Sequence, residues 1–142
     1  MTSTSSDHRS TVLGIYAAFG RGDIAGVLSA VGDEPDWGLD PDAAVVAAVP
    51  WLARVNTKDE VGSGYFAGVA GDLEWHAFEP MAVGQDGDHV VAVLRASFTV
   101  KATGKAVDAL ETHFFTFGPD GRIARYRPIL DTAAFIDAFT AD

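Results

Sequence analysis

Residues 73–130, LEWHAFEPMAVGQDGDHVVAVLRASFTVKATGKAVDALETHFFTFGPDGRIARYRPIL, decide the fold. From Leu73 the apolar period is two: Leu73, Trp75 and Ala77 alternate against Glu74, His76 and Phe78, as residues on opposite faces of a strand do. Three more β-rich runs follow, Val90 to Val100, Val107 to Phe117 and Ile123 to Leu130. Between them stand Gln85-Asp86-Gly87-Asp88, Thr103-Gly104-Lys105 and Gly118-Pro119-Asp120-Gly121, whose Gly, Pro and Asp content marks turns. Connections this short join antiparallel neighbours, so the stretch reads as a curved antiparallel sheet of four strands.

Upstream the period is helical. Val12, Ile15, Tyr16 and Phe19 share one face of a helix that starts near the Ser5/Ser6/Asp7 caps and ends at Gly20 and Gly22. Asp23 caps a second, short helix carrying Ile24, Val27, Leu28 and Val31. From Gly32 to Asn56, Pro35, Gly38, Pro41 and Pro50 interrupt the chain, and the segment reads as a loop with one or two helical turns around Asp42 to Val49. Thr57 and Glu60 form a capping box for a third helix with Val61, Tyr65 and Val69 in register and Phe66 beside them, up to Gly71. Downstream, Asp131 caps a short last helix with Phe135, Ile136 and Phe139 as its apolar edge.

Helices first and strands afterwards describe an α+β domain spanning 1–142, with helices packed on one face of the sheet. A concave sheet roofed by helices leaves a cavity, and nine Phe, three Trp and three Tyr are enough to line it.

Composition narrows the function. A formal charge of -10 repels phosphate backbones and anionic membrane faces, so neither nucleic acid nor a membrane is an expected partner. With no cysteine and no two histidines at metal-site spacing, no metal or other cofactor is expected. The start, MTSTSSDHRS, lacks the apolar stretch of a signal peptide, and a cytoplasmic location is the expectation. Ser63 falls inside the third helix, away from the strand-turn-helix setting of a nucleophile elbow.

Ile15-Tyr16-Ala17-Ala18-Phe19-Gly20-Arg21-Gly22-Asp23 early, and Thr103-Gly104-Lys105, His113-Phe114-Phe115, Asp120-Gly121-Arg122-Ile123 and Asp131-Thr132 late, resemble the nuclear transport factor 2-like superfamily. Within it the chain is similar to bacterial relatives of ketosteroid isomerase and to SnoaL-type polyketide cyclases. The resemblance implies a cone-shaped α+β barrel, a hydrophobic pocket for a small hydrophobic or cyclic ligand, and a homodimer formed through the sheet. It does not choose among isomerase, cyclase, epoxide hydrolase and plain or stress-associated binding protein. Matched to the isomerase, its oxyanion tyrosine falls on Ile15, its oxyanion aspartate on His113, and its base near Leu39 and Asp40. Tyr16 lies about 100° round the helix from Ile15 and is not expected to substitute, so steroid isomerisation is not predicted.

Candidate chemistry starts at His113, which shares a strand face with Glu111 and Phe115 because residues two apart project together. A carboxylate beside an imidazole is an acid/base pair, and imidazole changes charge near neutrality. Asp40, in the loop over the expected cavity mouth, and Asp131, after the last strand, are further candidate acids. For both, helix capping is the competing reading. Tyr16, Phe19, Trp37, Trp51, Tyr65, Phe66, Phe98, Phe115 and Tyr126 are the candidate ligand-lining rings, each of which has plain core as its alternative. Arg95 and Lys101 alternate with Leu94, Ala96, Phe98 and Val100 and so face away from the cavity. His76 and His89 read as solvated, and His8 as part of the polar leader.

Overall fold

The computed structural model describes residues 7–142. The chain runs α1 (His8–Gly20), α2 (Ile24–Leu28), β1 (Val31–Trp37), α3 (Ala44–Ala48), a 3-10 turn (Pro50–Leu52), α4 (Lys58–Glu60), a π-helical segment (Val61–Phe66), α5 (Ala67–Asp72), β2 (Leu73–Asp86), β3 (His89–Val100), β4 (Ala106–Phe117), β5 (Ile123–Ile129) and α6 (Thr132–Phe139). The α+β class is as read from the sequence, and from Leu73 onward so is the order of the elements.

The sheet has five strands in the order β1-β5-β4-β3-β2. The four expected strands are antiparallel neighbours, and a fifth, β1, adds to β5 in parallel. That corrects the sequence reading, which left 32–56 as a loop and put Val31 on the second helix. Pro35 disguised the strand: it cannot donate to a ladder, but on an edge strand it need not. The edge strands β1 and β2 do not pair, so the sheet is curved without closing into a barrel.

Local signals account for the helix ends. Asp7 accepts from the Ser10 backbone N–H at 3.0 Å, Asp23 from Gly26 at 2.9 Å and Asp131 from Ala134 at 3.1 Å, each satisfying a donor that the first turn leaves unpaired. Ser5 and Ser6, also proposed as caps, lie outside the described residues. Thr57 takes the Glu60 N–H at 3.1 Å and gives its hydroxyl to the Glu60 carboxylate at 2.9 Å. His8 departs from its reading as polar leader: it opens α1, is buried, and stacks on Phe117 at 4.1 Å while bonding Asp88 at 3.2 Å.

Alternate β3 residues Val90, Ala92, Leu94, Ala96, Phe98 and Val100 point to the helical side and are fully buried or nearly so. One end of this face packs with Val12, Ile15 and Tyr16 of α1 and with Val27, Phe115, Phe117 and Ile123. The other packs with Val45 of α3, with Val49 just after it, and with Phe135 and Ala138 of α6. Phe19 and Tyr65 touch both clusters, and the candidate site lies where they meet. Burying one such Phe or Leu side chain stabilises the fold by about 2–3 kcal/mol.

Candidate functional site

The site starts from β4. Strand alternation turns Glu111, His113 and Phe115 toward the helices, and His113 stands opposite Ala92 of β3 and Pro128 of β5. A small residue on one side leaves room for the imidazole. Glu111 and His113 are each only 6% exposed, an uncommon location for ionisable groups unless they are partnered. They are partnered: His113 Nε2 lies 3.2 Å from Glu111 Oε2, and His113 Nδ1 lies 2.9 Å from the Tyr16 hydroxyl. An ionised carboxylate only accepts, so Nε2 donates to Glu111, and in the neutral ring Nδ1 accepts from Tyr16 O–H.

Tyr16 lines the cavity, and its bond to His113 is a contact the sequence reading did not include. Ile15 and Tyr16 both line the cavity. The Tyr16 hydroxyl lies at the imidazole, which the offset from Ile15 alone does not reveal.

The remaining wall is aromatic. Phe19 comes from α1, Trp37 from β1, Tyr65 and Phe66 from the π-helical segment, Trp75 and Phe78 from β2 and Tyr126 from β5, with Val69 from α5. Trp37 lies over Tyr126 at 4.2 Å between centroids, and the hydroxyls of Tyr65 and Tyr126 are 3.1 Å apart. Burial, with the Glu111 charge adding to it, pushes the Tyr16 phenol well above its ordinary range. Burial likewise raises Tyr65 and Tyr126. All three phenols stay neutral hydrogen-bond donors.

The inner cavity measures about 60 Å³. Next to it a groove of about 720 Å³ runs between α1, α5 and β2, with Leu13, Ala17, Ile24 and Pro80 on its sides. Tyr16, Phe19, Phe66, Val69, Trp75 and Phe78 line both spaces, and Phe19 and Phe78, 5.0 Å apart, stand at the boundary between them.

Of the candidate residues, Glu111, His113, Tyr16, Phe19, Trp37, Tyr65, Phe66, Phe115 and Tyr126 come together here. Four do not. Asp40 is exposed and accepts from the Asp42 N–H at 2.9 Å in a local turn. Asp131 is exposed at the start of α6, where capping accounts for it. Trp51 donates to Asp72 at 2.8 Å outside the cavity, and Phe98 is core, packed on Phe135 at 5.3 Å. Trp75, Phe78 and Val69 were missed. Phe78 was assigned to the face opposite Trp75, but a bulge at His76 leaves Trp75 across from Phe98 and Ala77 across from Ser97. The bulge turns Phe78 back to the inner side.

His76 and His89 are exposed beside Thr99 and Thr116. Arg95 lies on the outer face, paired with Asp108 at 3.1 Å, so an epoxide-hydrolase arrangement would lack its arginine. Among the described residues no three His, Cys, Asp or Glu gather as metal ligands would, and no helix is long and apolar enough to cross a membrane.

A curved sheet under helices with an aromatic cavity between them is the nuclear transport factor 2-like fold, and the comparisons agree. The family model described as SnoaL-like domain matches residues 12–126, and the chain belongs to that family. An NTF2-like protein of unknown function from Burkholderia pseudomallei superposes with a TM-score of 0.83 at 24% identity, covering 96% of this chain and 99% of that one. TerC, co-crystallised with polyporic acid, superposes at 0.76 with 23% identity over 94% and 98% of the two chains. A candidate polyketide cyclase from Pseudomonas putida gives 0.74 at 15% identity over 94% and 98%. No curated protein matches the sequence.

Proposed function

We propose that the chain binds a small, largely apolar cyclic compound and transfers a proton next to its carbonyl, as a cofactor-independent isomerase or cyclase. The observation that carries this reading is the continuous chain Tyr16–His113–Glu111, at 2.9 and 3.2 Å, buried in an otherwise apolar cavity. Glu111 holds Nε2–H, which leaves the Nδ1 lone pair as the base. A substrate C–H gives its proton to Nδ1, the C–H electron pair moves into the enolate, and Glu111 stabilises the imidazolium. Tyr16, released as donor to Nδ1, turns its O–H to the enolate oxygen. Return of the proton to another carbon completes an isomerisation; attack of the enolate carbon on a second carbonyl closes a ring, and the alkoxide so formed takes the proton back from Nδ1. That one similar protein was co-crystallised with polyporic acid supports a flat, oxygenated ring as the ligand class.

The test is exchange of the α-protons of 1-tetralone for deuterium in D₂O, followed by NMR. Wild type is expected to accelerate exchange, and His113→Ala to abolish the acceleration. Wild type at the buffer rate, or an unimpaired variant, refutes proton transfer. The second reading, a non-catalytic binding protein, is favoured by the narrow inner space of about 60 Å³ and would then stand.

The outer sheet face exposes Val91, Leu110 and Ile129, with Arg95–Asp108 and Arg127–Asp36 pairs around them. We propose a cytoplasmic homodimer in which a second copy covers this face. Sedimentation of Leu110→Lys as a monomer against a wild-type dimer is the expected result.

A further inference from the structure

The proton-transfer chain leaves the two cavity indoles unused. Trp37 is only 2% exposed, Trp75 is half-buried, and both line the cavity. Among the described residues their Nε1–H groups are the buried side-chain polar atoms without a hydrogen-bond partner. Buried donors are ordinarily paired, because leaving one unmade costs the whole of its desolvation. The third tryptophan obeys that rule: Trp51 donates to Asp72 at 2.8 Å. The two exceptions thus belong to residues that line one cavity, and those residues sit at different depths. Trp37 belongs to the inner space alone, while Trp75 lines both the inner space and the groove.

We infer that the indole N–H groups of Trp37 and Trp75 position the ligand by donating to two of its oxygens, one at its leading end and one farther back toward the groove. This rests on the reading above that the cavity takes a ligand. An indole N–H donates and cannot accept, so the two positions select oxygen lone pairs and reject ammonium or amide donors. The Glu111 carboxylate, 6% exposed on the same wall, rejects a carboxylate-bearing end by like charge in a poorly solvated space. The ligand class is therefore a neutral, flat ring system with two acceptor oxygens, such as a quinone, diketone or hydroxyketone. Its apolar body lies against Phe19, Phe66 and Phe78.

The experiment uses the full chain, labelled with ¹⁵N, and three bicyclic probes with no, one and two carbonyls: tetralin, 1-tetralone and 1,4-naphthoquinone. Dissociation constants are expected to fall along that series. Trp37→Phe and Trp75→Phe are each expected to remove about fivefold of the gain that carbonyls bring while leaving tetralin unaffected. In wild type the Trp37 and Trp75 indole proton signals move downfield with naphthoquinone relative to tetralin, and that of Trp51 stays. This readout holds even where a variant fails to fold. Equal affinity for all three probes, a gain that survives both substitutions, or no binding of any probe overturns the assignment. Because affinity and indole shifts are read rather than turnover, a chain that binds in this way but exchanges no α-protons would refute the proposed catalysis and leave the indole contacts intact.

Discussion

The Tyr16–His113 contact makes a quantitative prediction about stability as well as chemistry. Both side chains are buried, at 7% and 6% exposure, and the hydroxyl lies 2.9 Å from Nδ1. Tyr16→Phe keeps the ring, which packs edge-on against Phe78 at 5.5 Å and Phe115 at 6.3 Å, so no cavity opens. What is lost is the hydrogen bond, about 1 kcal/mol net, together with the solvation that buried Nδ1 can no longer recover, which brings the total to about 2 kcal/mol. In a domain of this size that lowers Tm by about 7 °C. In a His113→Phe background the hydroxyl has already lost its partner, and removing it costs little. A double-mutant cycle by urea denaturation is therefore expected to give a coupling of about 1.5 kcal/mol. Additivity within about 0.3 kcal/mol would refute the contact, and with it the relay in the proposed mechanism.

Three further outcomes are expected. Glu111→Gln replaces a buried charge with a neutral isostere that still accepts from Nε2–H, so its urea midpoint shifts by less than about 1 kcal/mol equivalent, while α-deuterium exchange falls about 100-fold. Asp36, hydrogen-bonded by Arg127 at 2.7 Å with Arg54 and Arg125 nearby, has its carboxyl held below the usual range; a lowered folded value stabilises fully above about pH 4 and fades as pH falls through it. Asp36→Asn, half exposed to solvent screening, is thus expected to cost under about 1 kcal/mol at pH 7, the gap to wild type closing below about pH 4 in acid titrations of the unfolding midpoint. Gly38 has φ 117°, and a Cβ there would sit 2.8 Å from the Leu52 carbonyl oxygen. Gly38→Ala is accordingly expected to lose about 2 kcal/mol or more in urea denaturation.

What could be read from the sequence was what depends on near neighbours. Asp7, Asp23, Thr57 with Glu60, and Asp131 cap helices by bonds to residues three positions on, and the pairing of Glu111 with His113 follows from strand alternation alone. What escaped depends on distant partners. Strand β1 exists because β5 offers an edge that begins at Ile123, the partner of Val31, and Asp36 can meet Arg125 and Arg127 there, and nothing within Val31–Trp37 announces that. The bulge at His76 is set by the β3 register, and it alone carries Phe78 to the cavity. The bond between Tyr16 and His113 joins side chains 97 residues apart, so the helical spacing that made Tyr16 a candidate liner could not reveal it.

The placement of charge argues that this cavity is more than leftover packing. On β4 the other inward positions are Val107, Ala109, Phe115 and Phe117, all apolar and all buried but the partly buried Ala109, and apolar side chains at 111 and 113 would complete that stripe. Replacing buried ionisable pairs with apolar residues is commonly neutral or stabilising, so folding alone does not call for Glu111 and His113. Nor does stability call for two unpaired indole donors on residues that line the same cavity as a satisfied relay. The costs fall together around one cavity, where a carboxylate holds an imidazole and neutral phenols and indoles carry donors. A ligand with oxygens for those donors and an acidic C–H for that base would offset both, and an apolar ligand would offset neither.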